Sequence, residues 1–241
     1  MITIPGLESY FGGKGGAGVY QTIINHIPPH DIYFEPFLGH GAIICAKKPA
    51  PLYNIGCELD TQIVDLWRLA KINKKHNFMV HLKNGIDFLE EACSNIIYTD
   101  LGRNVFVYAD PPYLHETRKS MRKRYAHEMS REDHIRLLTI LVKLPFNVAI
   151  SCYDNSLYTQ YLKGWQKVTF RATTRRGTAI ECLYMNYPAP VTLHDYHFLG
   201  SDYRDRERIR KKIERHVDGL KRLPVHERNA IIEAISYQHF K

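Results

Sequence analysis

Val105-Phe106-Val107-Tyr108-Ala109-Asp110-Pro111-Pro112-Tyr113 is the stretch that decides the fold. Its first five residues form an apolar run of strand-forming side chains with no polar face, the pattern of a strand buried inside a sheet. Asp110 follows at the carboxyl end of that strand, where open α/β sheets hold their ligands. Pro111 and Pro112 lack an N–H and end the strand. Tyr113 sets an aromatic ring beside the carboxylate. The segment therefore offers an acceptor side chain, carbonyls on a rigid backbone and a face to stack on, which together suit a planar exocyclic amine.

Working outward, short apolar runs alternate with helical patterns. Strands are expected over 32–37, 52–58, 78–82, 105–109, 147–152, 167–173 and 181–186. Helices are expected over 41–47, 61–73, 86–94, 131–144 and 156–162. Such alternation predicts a parallel sheet covered on both faces. Only 174–180 joins the last two strands, too short for a parallel crossover, so they should form an antiparallel hairpin. From Pro188-Ala189-Pro190 the character changes. Ile209, Ile213, Val217 and Leu220 recur at helical spacing among charges, and Leu223-Pro224 starts a second helix. The domains expected are 1–190, carrying the sheet, and 191–241, a helical appendage.

With 241 residues, 44% of them hydrophobic, the chain can bury a sizeable core and is not of disordered composition. No apolar run approaches a membrane span, and no basic-then-apolar leader opens the sequence. Five scattered cysteines without Cys-x-x-Cys spacing indicate neither a disulfide framework nor a zinc site, which fits a reducing cytoplasm. A net charge of +8 favours a polyanionic partner such as nucleic acid.

Two further stretches join the first. Phe34-Glu35-Pro36-Phe37-Leu38-Gly39-His40-Gly41-Ala42 follows the first expected strand, and its glycines allow tight turns and close approach to a ligand. Tyr10-Phe11-Gly12-Gly13-Lys14 lies near the N-terminus. In order, these two and Asp110-Pro111-Pro112-Tyr113 resemble the motifs of the Dam-type (D12 class) S-adenosylmethionine-dependent DNA adenine-N6 methyltransferases. The resemblance runs from about residue 9 to about residue 188 and implies a Rossmann-like class I methyltransferase sheet of about seven strands, with a terminal antiparallel hairpin.

It also implies roles. Asp110, Pro111, Pro112 and Tyr113 would be catalytic. Asp110 and the Pro111 carbonyl would take the two amine protons of adenine, Tyr113 would stack on the base, and the amine would attack the sulfonium methyl in line. Positioning is then the main contribution, and neither a metal nor a covalent enzyme intermediate is required. A base inside a duplex must first be flipped out. For the cofactor, S-adenosylmethionine, Glu35 would accept the methionine ammonium, beside Pro36, Phe37, Gly39 and Gly41. Glu58 at the second strand's tip would take the ribose hydroxyls. Asp60, its rival, reads better as a helix cap. Asp87 and Phe88 would contact the adenine of the cofactor, though helix capping by Asp87 and core packing of Phe88 fit equally. Lys14 would place positive charge near the methionine carboxylate or the DNA, with Tyr10 packing beside it, and Asp110 would border the same pocket.

The insertion that reads the target sequence in larger members of the family is missing, because only 88–109 separate Asp87 from Asp110. DNA contacts are expected instead from the run 117–125, through Arg118, Lys119, Arg122, Lys123 and Arg124, as phosphate or base contacts. The basic segment 204–215 is a second source, with a packing lid or dimer interface as its alternative. The expected partner is double-stranded DNA, and a restriction endonuclease partner is compatible with it. RNA adenine or cytosine-N4 methylation is the rival chemistry, and an inactive nucleic-acid-binding protein of this fold is the different-class alternative.

Overall fold

A computed structural model describes residues 13–70, 77–94, 104–118, 127–174 and 177–238. The chain divides into two compact units, Met1–His197 and Phe198–Lys241.

Among the described residues, the first unit holds seven strands in one sheet: β1 (Ile32–Glu35), β2 (Tyr53–Glu58), β3 (Phe78–Leu82), β4 (Val105–Ala109), β5 (Asn147–Cys152), β6 (Gln166–Thr174) and β7 (Gly177–Met185). Their order is β3-β2-β1-β4-β5-β7-β6. The first five run parallel, while β7 is antiparallel to β5 and to β6. This is the expected α/β, Rossmann-like sheet with its terminal antiparallel hairpin. β1 and β4 are buried at every position, as central parallel strands must be when helices cover both faces. Strand order reverses between β1 and β4, so their following loops part and leave a crevice at the carboxyl ends.

Helices α1 (Val19–Ile24), α2 (Ala42–Ala46), α3 (Thr61–Leu69), α4 (Gly85–Ser94), α5 (Arg131–Leu141) and α6 (Ser156–Tyr161) accompany the sheet. Local chemistry fixes their starts. Asp60 accepts the Gln62 N–H ahead of α3, Ser130 and Asp133 form a capping box on α5, and Asn155 caps α6. Three outcomes differ from expectation. β1 stops at Glu35, because Pro36 cannot extend the ladder. The hairpin is longer than its apolar pattern, closing at Thr174↔Gly177, because most of 177–180 is exposed and carries no burial alternation. Helix α1 follows a glycine-rich stretch that hides its short pattern, yet Val19, Ile23 and Ile24 are core residues.

Residues 191–197 stay with the sheet unit. The Lys48 N–H donates to Asp195 at 2.7 Å, the His194 N–H donates to the Ile27 carbonyl at 2.9 Å, and the His194 and His30 rings stack at 3.7 Å. The second unit holds α7 (Tyr203–Lys221), capped by Asp202, and α8 (Val225–Gln238), which begins directly after Pro224. Among the described residues no helix is long and apolar enough to cross a membrane.

Candidate active site

The cleft at the carboxyl ends of β1, β2 and β4 is bordered by Lys14, Glu35, Gly39, Glu58, Asn84 and Asp110. The segments that follow β1, β2, β3 and β4 meet there with Lys14, each held by its own small set of contacts.

The β1–α2 loop, Pro36 to Gly41, lines the cleft. Gly39 and Gly41 take φ of 48° and 59°, a left-handed backbone that favours glycine. A Cβ on Gly41 would come within 2.4 Å of the Trp67 ring, while the Trp67 indole N–H donates to the Gly39 carbonyl at 2.9 Å. The missing side chain at Gly41 therefore makes room for Trp67, not only for a ligand. Glu58 ties the loop to β2: its carboxylate accepts the N–H groups of Gly39 (2.8 Å), Leu59 (2.7 Å) and Asp60 (2.9 Å).

Past β3, Lys83, Asn84, Gly85 and Ile86 border the cleft. Asn84 accepts the Ile86 N–H at 2.8 Å, so it fills the capping place at the start of α4. Asp87 and Phe88 lie off the cleft lining. Arg136 on α5 donates to Asp87 at 2.9 Å, and Phe88 packs edge-on against Phe34 with ring centres 5.5 Å apart. The helical turn explains this: three residues past the Asn84 cap, the Asp87 side chain leaves the strand end for the α4–α5 seam.

Glu35 is buried beneath the loop and accepts the Tyr33 phenol at 3.0 Å. Burial pushes its carboxyl up to about 8, against the opposing Tyr33 hydrogen bond, and the Asp110 charge pushes the same way as burial.

Asp110 sits at the end of β4 with Lys14 Nζ 2.8 Å from its Oδ1. Burial raises its carboxyl to about 6, with the Lys14 ammonium opposing. Lys14 is itself buried, stands 3.5 Å from Glu181 Oε2, and lies 4.8 Å from the centre of the Tyr113 ring. The Tyr113 phenol donates to Glu181 at 2.8 Å, and its ring meets Tyr153 edge-on at 4.7 Å. Pro111 and Pro112 line the cleft beside them.

Arg118 faces inward. Its side chain is only 6% exposed, and its guanidinium donates to Glu128 Oε1 at 2.9 Å, stands 2.7 Å from Glu128 Oε2, and also donates to the Tyr113 carbonyl. It therefore braces the segment after the Asp-Pro-Pro-Tyr motif rather than offering a surface cation. Tyr10, Lys119, Arg122, Lys123 and Arg124 lie outside the described residues.

In the second unit, Arg204, Arg208, Lys211, Lys212 and Arg215 follow one helical stripe of α7 and are exposed. Arg208 pairs with Asp205, and Arg210, off the stripe, pairs with Glu207 and Glu214. The other four stripe cations make no ion pair among the described residues. Ile209, Ile213 and Val217 occupy a different face.

Glu181, Trp67, Tyr153 and Glu128 are not singled out by sequence reasoning. The one available signal is at Glu181, a lone acid opening the apolar run Glu181-Cys182-Leu183-Tyr184-Met185. Among the described residues no group of three or more His, Cys, Asp or Glu side chains is placed to hold a metal.

Residues 70–176 match the family model of the D12 class N6 adenine-specific DNA methyltransferases. No curated protein matches the chain. Solved structures with similar folds include a SAM-dependent methyltransferase from Agrobacterium tumefaciens, at 11% identity and TM-score 0.41, covering 70% of this chain and 60% of that protein. A putative RNA methyltransferase from Pyrococcus horikoshii has 14% identity and TM-score 0.43, over 74% of this chain and 86% of that one. An rRNA methylase from Streptococcus thermophilus has 10% identity and TM-score 0.41, over 70% and 92%.

Proposed function

We infer that this chain, whose residues 70–176 match the D12 class N6 adenine-specific DNA methyltransferases, transfers a methyl group from S-adenosylmethionine to the N6 amine of adenine in DNA. The observation that carries the reading is the Asp110 carboxylate, which ends β4 beside two prolines and borders the cleft with Lys14.

The donor set fits the cofactor. Glu35 is a buried carboxylate suited to a cation such as the methionine ammonium. Glu58 borders the cleft from the tip of β2, where a ribose diol would be held. Leu59 and Ile86 supply apolar surface for a purine. S-adenosylmethionine brings to this site a methyl group made electrophilic by its sulfonium.

Toward the target base the residues divide the work. Asp110 accepts a hydrogen bond from one N6 proton and the Pro111 carbonyl accepts one from the other. This favours a more tetrahedral nitrogen and frees its lone pair from the ring. Once the nitrogen is alkylated, Asp110 receives the surplus proton. Tyr113 supplies an aromatic face. Positioning of this kind replaces the entropy cost of a chance encounter. Arg118 is engaged by Glu128, and the exposed α7 stripe offers a phosphate-contacting surface besides the run 119–124, since charge complementarity supports a duplex backbone as its partner. Its cations recur at about 6 Å along the helix, one per turn.

Isotope-labelled methyl transfer to duplex DNA, single-stranded DNA and RNA, with nucleoside analysis of the product, tests the reading. N6-methyladenine from duplex DNA is expected. Label confined to RNA or to N4-methylcytosine would overturn it.

A further inference from the structure

Glu181 lies outside every motif that identifies the site, yet it touches two of its parts. It is 6% exposed and comes from the antiparallel strand β7. The register explains its place. Cys182 faces Cys152, the last residue of β5, so Glu181 stands one step beyond the carboxyl end of β5, on the rim that β4 shares. Its Oε2 accepts the Tyr113 phenol at 2.8 Å and stands 3.5 Å from Lys14 Nζ, which in turn lies 2.8 Å from Asp110 Oδ1. One buried ammonium is thus shared by two carboxylates, Glu181 buried and Asp110 partly exposed to the cleft, and the buried one also fixes the ring that follows Pro112.

We propose that Glu181 is a positioning residue for methyl transfer, which orients Tyr113 through its phenol and serves as the second counter-ion of Lys14, so that Asp110 can exchange the ammonium for the target amine. The proposal rests on the reading of this cleft as a methyl-transfer site. A buried ion pair resists opening because the partner left behind is an uncompensated buried charge. Here, when an amine takes Asp110, Lys14 keeps Glu181 and no charge is stranded. Tyr113, anchored at its hydroxyl and flanked by Tyr153, keeps one ring orientation throughout.

The groups that act on the Asp110 carboxylate are Lys14, Glu35 and Tyr33 on β1, Tyr108 on β4, Tyr113, Tyr158 on α6, and Glu181. Burial drives the phenols well above their usual range, so they stay neutral. The charges that count are Lys14, Glu35 and Glu181. Removing the Glu181 charge therefore lets Asp110 ionise at lower pH and closes the Lys14–Asp110 pair.

Glu181→Gln keeps an acceptor for the phenol and loses the charge; Glu181→Ala loses both. Two readouts separate positioning from mere structure. Carboxyl carbon NMR of Asp110 in the free protein, without nucleic acid, should titrate at lower pH in Glu181→Gln than in wild type. In turnover on duplex DNA, the acid limb of kcat should move the same way. There kcat should fall about tenfold in Glu181→Gln and about 100-fold in Glu181→Ala, with KM for DNA changed less than about twofold. Tyr113→Phe, which leaves Glu181 in place, should lose part of kcat, and its combination with Glu181→Ala should cost less than the two losses added. Tyr113→Phe alone decides the phenol half even where a Glu181 variant does not fold: a wild-type kcat in that variant would overturn it. An Asp110 titration unchanged in Glu181→Gln, or additive losses in the combined variant, would overturn the proposal. A wild-type protein that methylates no nucleic acid would instead remove the methyl-transfer reading, while the Asp110 titration would still report the coupling.

Discussion

Replacing Gly85 by alanine is the sharpest test of how the cleft is built. Gly85 opens α4, and its missing side chain is where the backbone of the β1–α2 loop passes. A Cβ there would stand 1.9 Å from the Pro36 carbonyl oxygen and 2.7 Å from the Pro36 carbonyl carbon. An ordinary carbon–oxygen contact is about 3.3 Å, so one backbone must move by about 1.4 Å. Neither is free to do so. Pro36 follows β1 directly, the Leu38 N–H donates to the Cys57 carbonyl at 2.9 Å, and Glu58 holds the Gly39 N–H at 2.8 Å. Overpacking of side chains costs about 1–3 kcal/mol, and a clash of backbone with a Cβ belongs at the top of that range. For a chain of this size, about 3 kcal/mol lowers the melting temperature by roughly 6–12 °C. The displaced segment lines the cleft, so S-adenosylhomocysteine should also bind at least about tenfold more weakly, a loss of about 1.4 kcal/mol. Thermal unfolding and calorimetric titration of the purified variant measure both. Gly219→Ala is the control: it lies in α7 with nothing near its Cβ, and should stabilise by about 0.5–1 kcal/mol through helix propensity. A Gly85→Ala protein with native melting temperature and native affinity would refute the reasoning that this glycine exists for the Pro36 backbone.

Asp110→Ala should lower methyl transfer at least about 100-fold, near 3 kcal/mol of transition-state stabilisation, while S-adenosylhomocysteine still binds; near-normal turnover would remove Asp110 from its role. Because the Asp110 carboxyl is raised to about 6 and must be ionised to accept the amine proton, kcat/KM should rise with pH through about 6, read from initial rates across pH. Glu35, raised to about 8 by burial, is mainly protonated at neutral pH, so a bound ammonium that favours its ionised form should release a proton. Titration of the cofactor product in buffers of different ionisation enthalpy should show that release, with affinity increasing as pH rises toward about 8; absence of proton release would exclude Glu35 as the ammonium acceptor. Replacing Arg204, Lys211, Lys212 and Arg215 by glutamine should weaken binding to all DNA sequences alike and make the salt dependence shallower by about one unit for each phosphate no longer neutralised. An unchanged slope would return DNA binding to the segment after Asp110.

The sheet is legible because its signals are local. Val105 to Ala109 is apolar at each position, as a strand covered on both faces must be, and β1 shows the same burial. The short 174–180 connection excludes a parallel crossover, and β6 and β7 do pair antiparallel. The elements that local patterns miss have physical reasons for it. Helix α1 is six residues long and follows glycines, so it lacks the repeated turns that make a helical period visible. The first residues of β7 are mostly exposed, so no alternation marks them.

The site divides along the same line. Residues whose place depends on position along one strand or loop can be read: Asp110 at the end of β4 and Glu58 at the tip of β2, both bordering the cleft, and Asp60 as the cap of α3. Residues whose role depends on a partner elsewhere cannot. Arg118 looks like part of a surface charge run, but Glu128 and the Tyr113 carbonyl claim its guanidinium, and charge counting along the chain cannot see an acid brought in from beyond the run. Gly41 reads as making room for a ligand, but the indole of Trp67 fills the place its side chain would take. Asp87 and Asp110 are both acids just beyond a strand end, yet one faces an exposed arginine and the other the cleft, because the turn into α4 rotates the first away while two prolines hold the second. Glu181 is the extreme case. Its meeting with Lys14 and Tyr113 is made by the register of an antiparallel strand added beyond β5, and a slip of one residue in that register would send it to the opposite face of the sheet. The Asp110 carboxylate is thus placed by the segment around it, whereas the counter-charge that surrounds it is specified by how the last hairpin joins the sheet.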